Sequence, residues 1–88
     1  MNQERFTSEV LTTFPGATIS IDDGESLRFR WKGLVFESRQ LAGGTWSIGV
    51  RDLRTTSYEL AEELGEDGIE KRESVVPAFQ KIATKLLP

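Results

Sequence analysis

The side chains able to do chemistry in this sequence are its charged ones. Its 88 residues include no Cys and no His. That removes thiolate nucleophiles, disulfides, Cys/His zinc sites and every dyad or triad that runs through an imidazole. Acid–base work falls to carboxylates, lysines and the single Tyr58, and nothing in the spacing converges two carboxylates on a cleft. Neither a phosphate loop nor a dinucleotide fingerprint occurs, and no S-x-x-K or G-x-S-x-G motif is present. Ala42-Gly43-Gly44-Thr45 reads as a hairpin turn. The expectation is a chain that is not an enzyme, with no cofactor and no small-molecule substrate indicated. Asp22, Asp23 and Glu25 share one turn and could ligate a hard cation, but EF-hand spacing is absent and Asp-Gly turns form for backbone reasons, so no metal is expected.

The cations carry the more specific pattern. Arg28, Arg30 and Lys32 alternate with Leu27, Phe29 and Trp31, and Arg39 and Arg51 follow at strand spacing. The net charge of −3 conceals a division: residues 27–54 hold six Lys/Arg against two acids, and the rest of the chain five against twelve. Those twelve include Glu62, Glu63, Glu66, Asp67, Glu70 and Glu73, which read as a solvated acidic run. A clustered cationic surface is either a solvated sheet face or a docking surface for something anionic.

The elements that must position these charges follow from periodicity. Phe6, Val10, Leu11 and Phe14 recur at helical spacing, and Pro15-Gly16 stops a helix over about 3–14. Ala17, Ile19 and Ile21 then alternate as a strand, Asp22 to Ser26 turn, and Leu27 to Lys32 alternate again. Leu34 to Leu41 and Thr45 to Arg51 make two more strands. Seven of the eight glycines stand at breaks in the pattern, and Gly49, inside the fourth strand, is the exception. Thr56 and Glu59 form a capping box ahead of Leu60, Ala61 and Leu64, with Gly65 as a stop. Residues 66–73 read as a charged connector. Val75, Val76, Phe79, Ile82, Ala83, Leu86 and Leu87 form the apolar stripe of a last helix that Ser74 can cap.

The whole, 1–88, is one small α+β domain. It is a two-layer sandwich with a four-stranded antiparallel meander and helices on one face, in the order α-β-β-β-β-α-α. A two-residue Lys32-Gly33 loop pairs Trp31 with Leu34, Phe29 with Phe36 and Leu27 with Ser38 on the buried side. A three-residue loop at 42–44 pairs Gln40 with Trp46, Ser38 with Ile48 and Phe36 with Val50. Ile21 opposite Leu27 completes the core. The open face then carries Arg28, Arg30, Lys32, Arg39 and Arg51 with Glu37 as its one acid. The first and fourth strands are edges, and the fourth invites pairing with another subunit.

Helix, antiparallel strands and C-terminal helix, ending in Ala78-Phe79-Gln80-Lys81-Ile82-Ala83, resemble in order the double-stranded RNA-binding domains. The resemblance is one of topology. The lysine cluster which that family carries at the start of its last helix is replaced here by Glu70-Lys71-Arg72-Glu73-Ser74. No apolar h-region follows Met1-Asn2-Gln3-Glu4-Arg5, and no apolar run approaches the roughly 20 residues of a membrane helix, so a cytoplasmic protein with no membrane contact is expected. The expected function is a non-catalytic interaction module. Its partner is a protein or a second copy of the chain, met through Arg28, Arg30, Lys32, Arg39 and Arg51 or through an open sheet edge. Nucleic acid is the alternative partner.

Overall fold

Alternation of large apolar and charged residues is strongest from Ser26 to Trp31, and there the backbone is extended as expected. The structure, a computed structural model, describes residues 5–53 and 63–87. It comprises α1 (Thr7–Thr13), β1 (Thr18–Asp22), β2 (Ser26–Trp31), β3 (Leu34–Gln40), β4 (Trp46–Asp52), β5 (Glu63–Ile69), a 3-10 turn over Arg72–Ser74 and α2 (Val75–Leu86). The strands form a single antiparallel sheet in the order β1-β2-β3-β4-β5. The fold is α+β, an antiparallel meander with two helices among the described residues. No helix among the described residues is long and apolar enough to cross a membrane.

The core is built on phenylalanine. Phe29 and Phe36 stack across β2 and β3 with centroids 4.5 Å apart and planes at 6°. Phe14 at the end of α1 and Phe79 of α2 both pack on that pair at 5.0–5.7 Å. Phe6 meets the Trp46 ring edge-on at 5.4 Å. Leu27, Leu34, Ile48, Val50, Val75, Val76 and Ala83 fill the space around them. Aromatic contacts of this kind add about 0.5–1.5 kcal/mol each beyond area burial.

The pairing of the central strands matches the hairpin arithmetic. Trp31 faces Leu34, Phe29 faces Phe36 and Leu27 faces Ser38, and on the other side Arg28 faces Glu37 and Arg30 faces Val35. Gln40 faces Trp46, Ser38 faces Ile48 and Phe36 faces Val50, with Leu41 N–H donating to Thr45 O across the loop at 2.7 Å. Buried Ser38 satisfies its hydroxyl by donating to Ser47 O at 2.8 Å. The Lys32-Gly33 loop is a tight turn with both residues at positive φ, 49° and 79°.

Four expectations are corrected. First, β1 carries a bulge: Ile19 faces Phe29, but Ile21 faces Arg28 and Asp22 faces Leu27. Ser20 is the extra residue, its hydroxyl donating to Arg28 O at 3.2 Å. Ile21 therefore leaves the core side and is 41% exposed. Asp22 takes the core side instead, where its carboxylate accepts from Phe6 N–H, Thr7 N–H and the Thr7 hydroxyl at 2.6–3.0 Å. A short helix with four orphan N–H groups is thus capped by a residue from a strand.

Second, residues 66–69 are not connector but the greater part of β5, and Leu64 and Gly65, expected to end a helix, lie in the same strand. The rest of that expected helix, 56–62, lies outside the described residues. Third, β4 is consequently not an edge, since β5 pairs with it from Trp46 to Arg51. Its unpaired N–H and C=O groups supply the driving force for a strand that has little alternation of its own. Fourth, α1 begins at Thr7 rather than near residue 3, and Ser74 leads into α2 through the 3-10 turn with no side-chain cap.

Arg72 fastens that turn to α1. Its guanidinium donates to Glu9 Oε1 and to Arg5 O, both at 2.6 Å, and lies over the Phe6 ring at 4.0 Å. Replacing Asp22 by Ala should lower stability by about 1–3 kcal/mol in urea unfolding. Ile21→Ser should stay within about 0.5 kcal/mol of the native chain, because the bulge has removed Ile21 from the core. A cost of several kcal/mol at Ile21 would show that β1 runs without the bulge.

Candidate functional site

The sheet side opposite the helices gathers most of the cations singled out in the sequence. Arg28 and Arg30 project from β2, Arg39 from β3 and Arg51 from β4, all exposed, because the Phe29–Phe36 register sends their neighbours inward. Arg28 Nε approaches Glu37 Oε1 at 3.6 Å, with each side chain half exposed. An exposed pair of this length contributes about 0–1 kcal/mol and leaves the guanidinium open to competition from another carboxylate. Arg30 and Arg51 stand directly across the strands on either side of Val35. Val35 belongs to the open face, yet only 6% of it is exposed. Arginine stems cover apolar surface in this way while their heads stay in water.

Lys32 does not join this group. It occupies the hairpin turn, and its ammonium lies 4.6 Å over the Trp31 ring, on the side of the sheet that carries the helices. There it lines a cleft with Thr13, Phe14, Gln80 and Ala83. Trp31 itself is half-buried, with its indole N–H donating to Pro15 O at 2.9 Å, while Trp46 is fully in the core.

Across the half of the open face nearer the β3–β4 hairpin runs a shallow groove of about 890 Å³. Arg28, Glu37 and Arg39 stand along it, Ser26 and Ser47 contribute hydroxyls, Gly49 lies on its β4 side, and Ile21 and Leu41 line it at separate places. The floor is sheet backbone. Ile21 and Leu41 are about 40% exposed. The sequence pattern points Ile21 into the core and assigns Leu41 no place in a site. Gly49 alone left a signal, as the one glycine standing inside a strand pattern.

The carboxylates of the β1–β2 turn are committed to the fold. Asp22 caps α1, and Asp23 Oδ1 accepts from Glu25 N–H at 2.9 Å and Ser26 N–H at 2.8 Å. These two N–H donors hold the exposed Asp23 carboxyl below its ordinary pKa, with a small further pull from Arg5. Among the described residues no group of three or more carboxylates is placed to hold a metal ion. Chemically, the face can offer guanidinium donors, hydroxyls and two separate exposed apolar side chains.

No family model, curated protein or solved structure matches this chain.

The Asp23 shift has a definite sign. Its folded pKa lies below the unfolded one, so the turn's contribution to stability is present above the unfolded pKa and is lost as pH falls through the folded value. A carboxyl titration by NMR should find the Asp23 midpoint below that of Asp in an unstructured peptide. Asp23→Ala should flatten the acid limb of the stability curve. An Asp23 midpoint at or above the peptide value would contradict the two hydrogen bonds.

Proposed function

We propose that the chain is a non-catalytic interaction module that docks its cationic sheet face on an acidic surface of another protein. The observation that carries this reading is the segregation of charge. Arg28, Arg30, Arg39 and Arg51 share one exposed face, where Glu37 is the one acid among the described side chains. The chain as a whole is acidic. Such a field steers an anionic partner and sets its register on the face.

Two features weigh the choice of partner. Every aromatic residue described packs in or against the core, so among the described residues the cationic face has no ring on which a base could stack. That favours a carboxylate-bearing protein over single-stranded nucleic acid. A symmetric dimer through this face would set the same arginines against one another, which opposes a second copy in that arrangement. Pairing through a sheet edge is opposed as well. The outer strands are β1, which is bulged, and β5, whose sequence holds three acids and two glycines.

The test is capture of partners from a lysate by the native chain and by Arg28→Glu/Arg30→Glu, read by mass spectrometry at two salt concentrations. The reading expects acidic proteins that are retained at about 50 mM salt, released as screening rises, and absent from the charge-reversed variant. Identical capture by both chains would overturn it. A shift of RNA or duplex DNA whose affinity falls steeply with salt, with no protein retained, would transfer the face to nucleic acid.

A further inference from the structure

Lys32 is the one non-glycine residue at positive φ among the described residues, at 49°. A hairpin turn that needs positive φ at both central positions favours Asn, Asp or Gly at the first, because their side chains are absent or can hydrogen-bond locally. Lysine has neither advantage, so the turn does not explain its presence. What lysine adds is reach. Its ammonium extends over the Trp31 ring, with Nζ 4.6 Å from the centroid.

Both residues line the cleft between the end of α1, the β2–β3 turn and the C-terminal half of α2, a space of about 470 Å³. Ligand pockets commonly fall in the range of about 300–1,000 Å³. Trp31 is a fixed wall. Its indole N–H donates to Pro15 O at 2.9 Å, and its ring meets Phe14 edge-on at 4.9 Å and 67°. Ala83 and half-buried Leu87 add apolar surface, and Thr13, Gln80 and Thr84 add polar groups. Among the described residues no carboxylate lines the cleft, and Lys32 is its single charge. A chain of net charge −3 thus carries, on its helix side, a cleft lined by one cation and no acid.

We propose that this cleft binds a small carboxylate with a flat aromatic body. The carboxylate meets the Lys32 ammonium, and the aromatic body lies against Trp31. Ring-on-ring contact gains more than burial of area alone, which favours an aromatic body over an aliphatic one. The Trp31 wall is already held by its hydrogen bond and by Phe14, so binding need not order it. The cation–π contact keeps the ammonium beside that wall in the free protein. The cleft lies on the opposite side of the sheet from the arginines, and the proposal is independent of how their face is read.

The test is titration of the full chain with naphthoate, its neutral analogue naphthamide and the aliphatic octanoate, followed by amide and indole N–H resonances in NMR. Naphthoate should shift the Trp31 indole signal and the amides of Lys32, Thr84 and Leu87, and leave the indole signal of core-buried Trp46 in place. Naphthamide and octanoate should each bind about tenfold more weakly or worse. Lys32→Asn should weaken naphthoate to the level of naphthamide and leave naphthamide unchanged. The same variant should keep or raise the melting temperature, because asparagine suits the turn better than lysine. A lysine kept for the turn itself predicts the reverse, a lower melting temperature with naphthoate affinity unchanged, and that result overturns the proposal. So does the absence of shifts at millimolar naphthoate, equal binding of naphthamide or octanoate, or shifts centred on Arg28 and Arg39.

Discussion

Phe29 lies flat on Phe36 across β2 and β3, and a phenylalanine from each helix closes on the pair. Side chains on a strand alternate with period two, so seating these rings inward dictates where their neighbours go. Arg28 and Arg30 are sent to water with no further instruction, and Glu37 and Arg39 follow from β3. A slip of one residue between the strands would put arginines under the helices, where an unpaired charge is very costly. The cationic face is the reverse side of the aromatic core, and one register specifies both.

The parts of this fold that were legible in the sequence are those where period and loop length agree. For β2, β3 and β4, apolar alternation and short hairpin loops agree, the alternation of Ile48 and Val50 selecting a three-residue loop at 42–44, and the pairs that follow are those of the sheet. The placement of the four arginines follows from that alone. Lys32 escaped because it lies in the turn, where alternation no longer says which way a side chain points. At β1 the alternation of Ala17, Ile19 and Ile21 was real but misleading. What overrides it is the demand of the α1 N-terminus for an acceptor, met by Asp22, and that demand is tertiary. β5 was hidden for a different reason: its Leu64 and Ile69 are five residues apart, and acids and glycines lie between them. Such a strand is recruited by the unpaired edge of β4 rather than by its own propensity.

The same strand changes the meaning of the acidic run. Read along the chain, Glu63, Glu66 and Asp67 belong to a solvated stretch. In the sheet they border β4, and Glu63 stands opposite Arg51. The chain thus sets a strand rich in acidic residues beside β4 and closes the sheet with a sequence whose charge discourages further addition. Charge here is sorted by strand, and the net value of −3 is the remainder after that sorting.

The Asp22 cap also has a consequence for the order in which the molecule comes together. A helix of seven residues is too short to persist alone in water, and α1 obtains its N-terminal acceptor from the far end of a hairpin. α1 can therefore settle only after β1 and β2 have paired with the bulge in place. Its release would leave the hydrogen bonds of the sheet itself in place. Release would withdraw Phe6 and Phe14 together and bare the stacked rings from the N-terminal side.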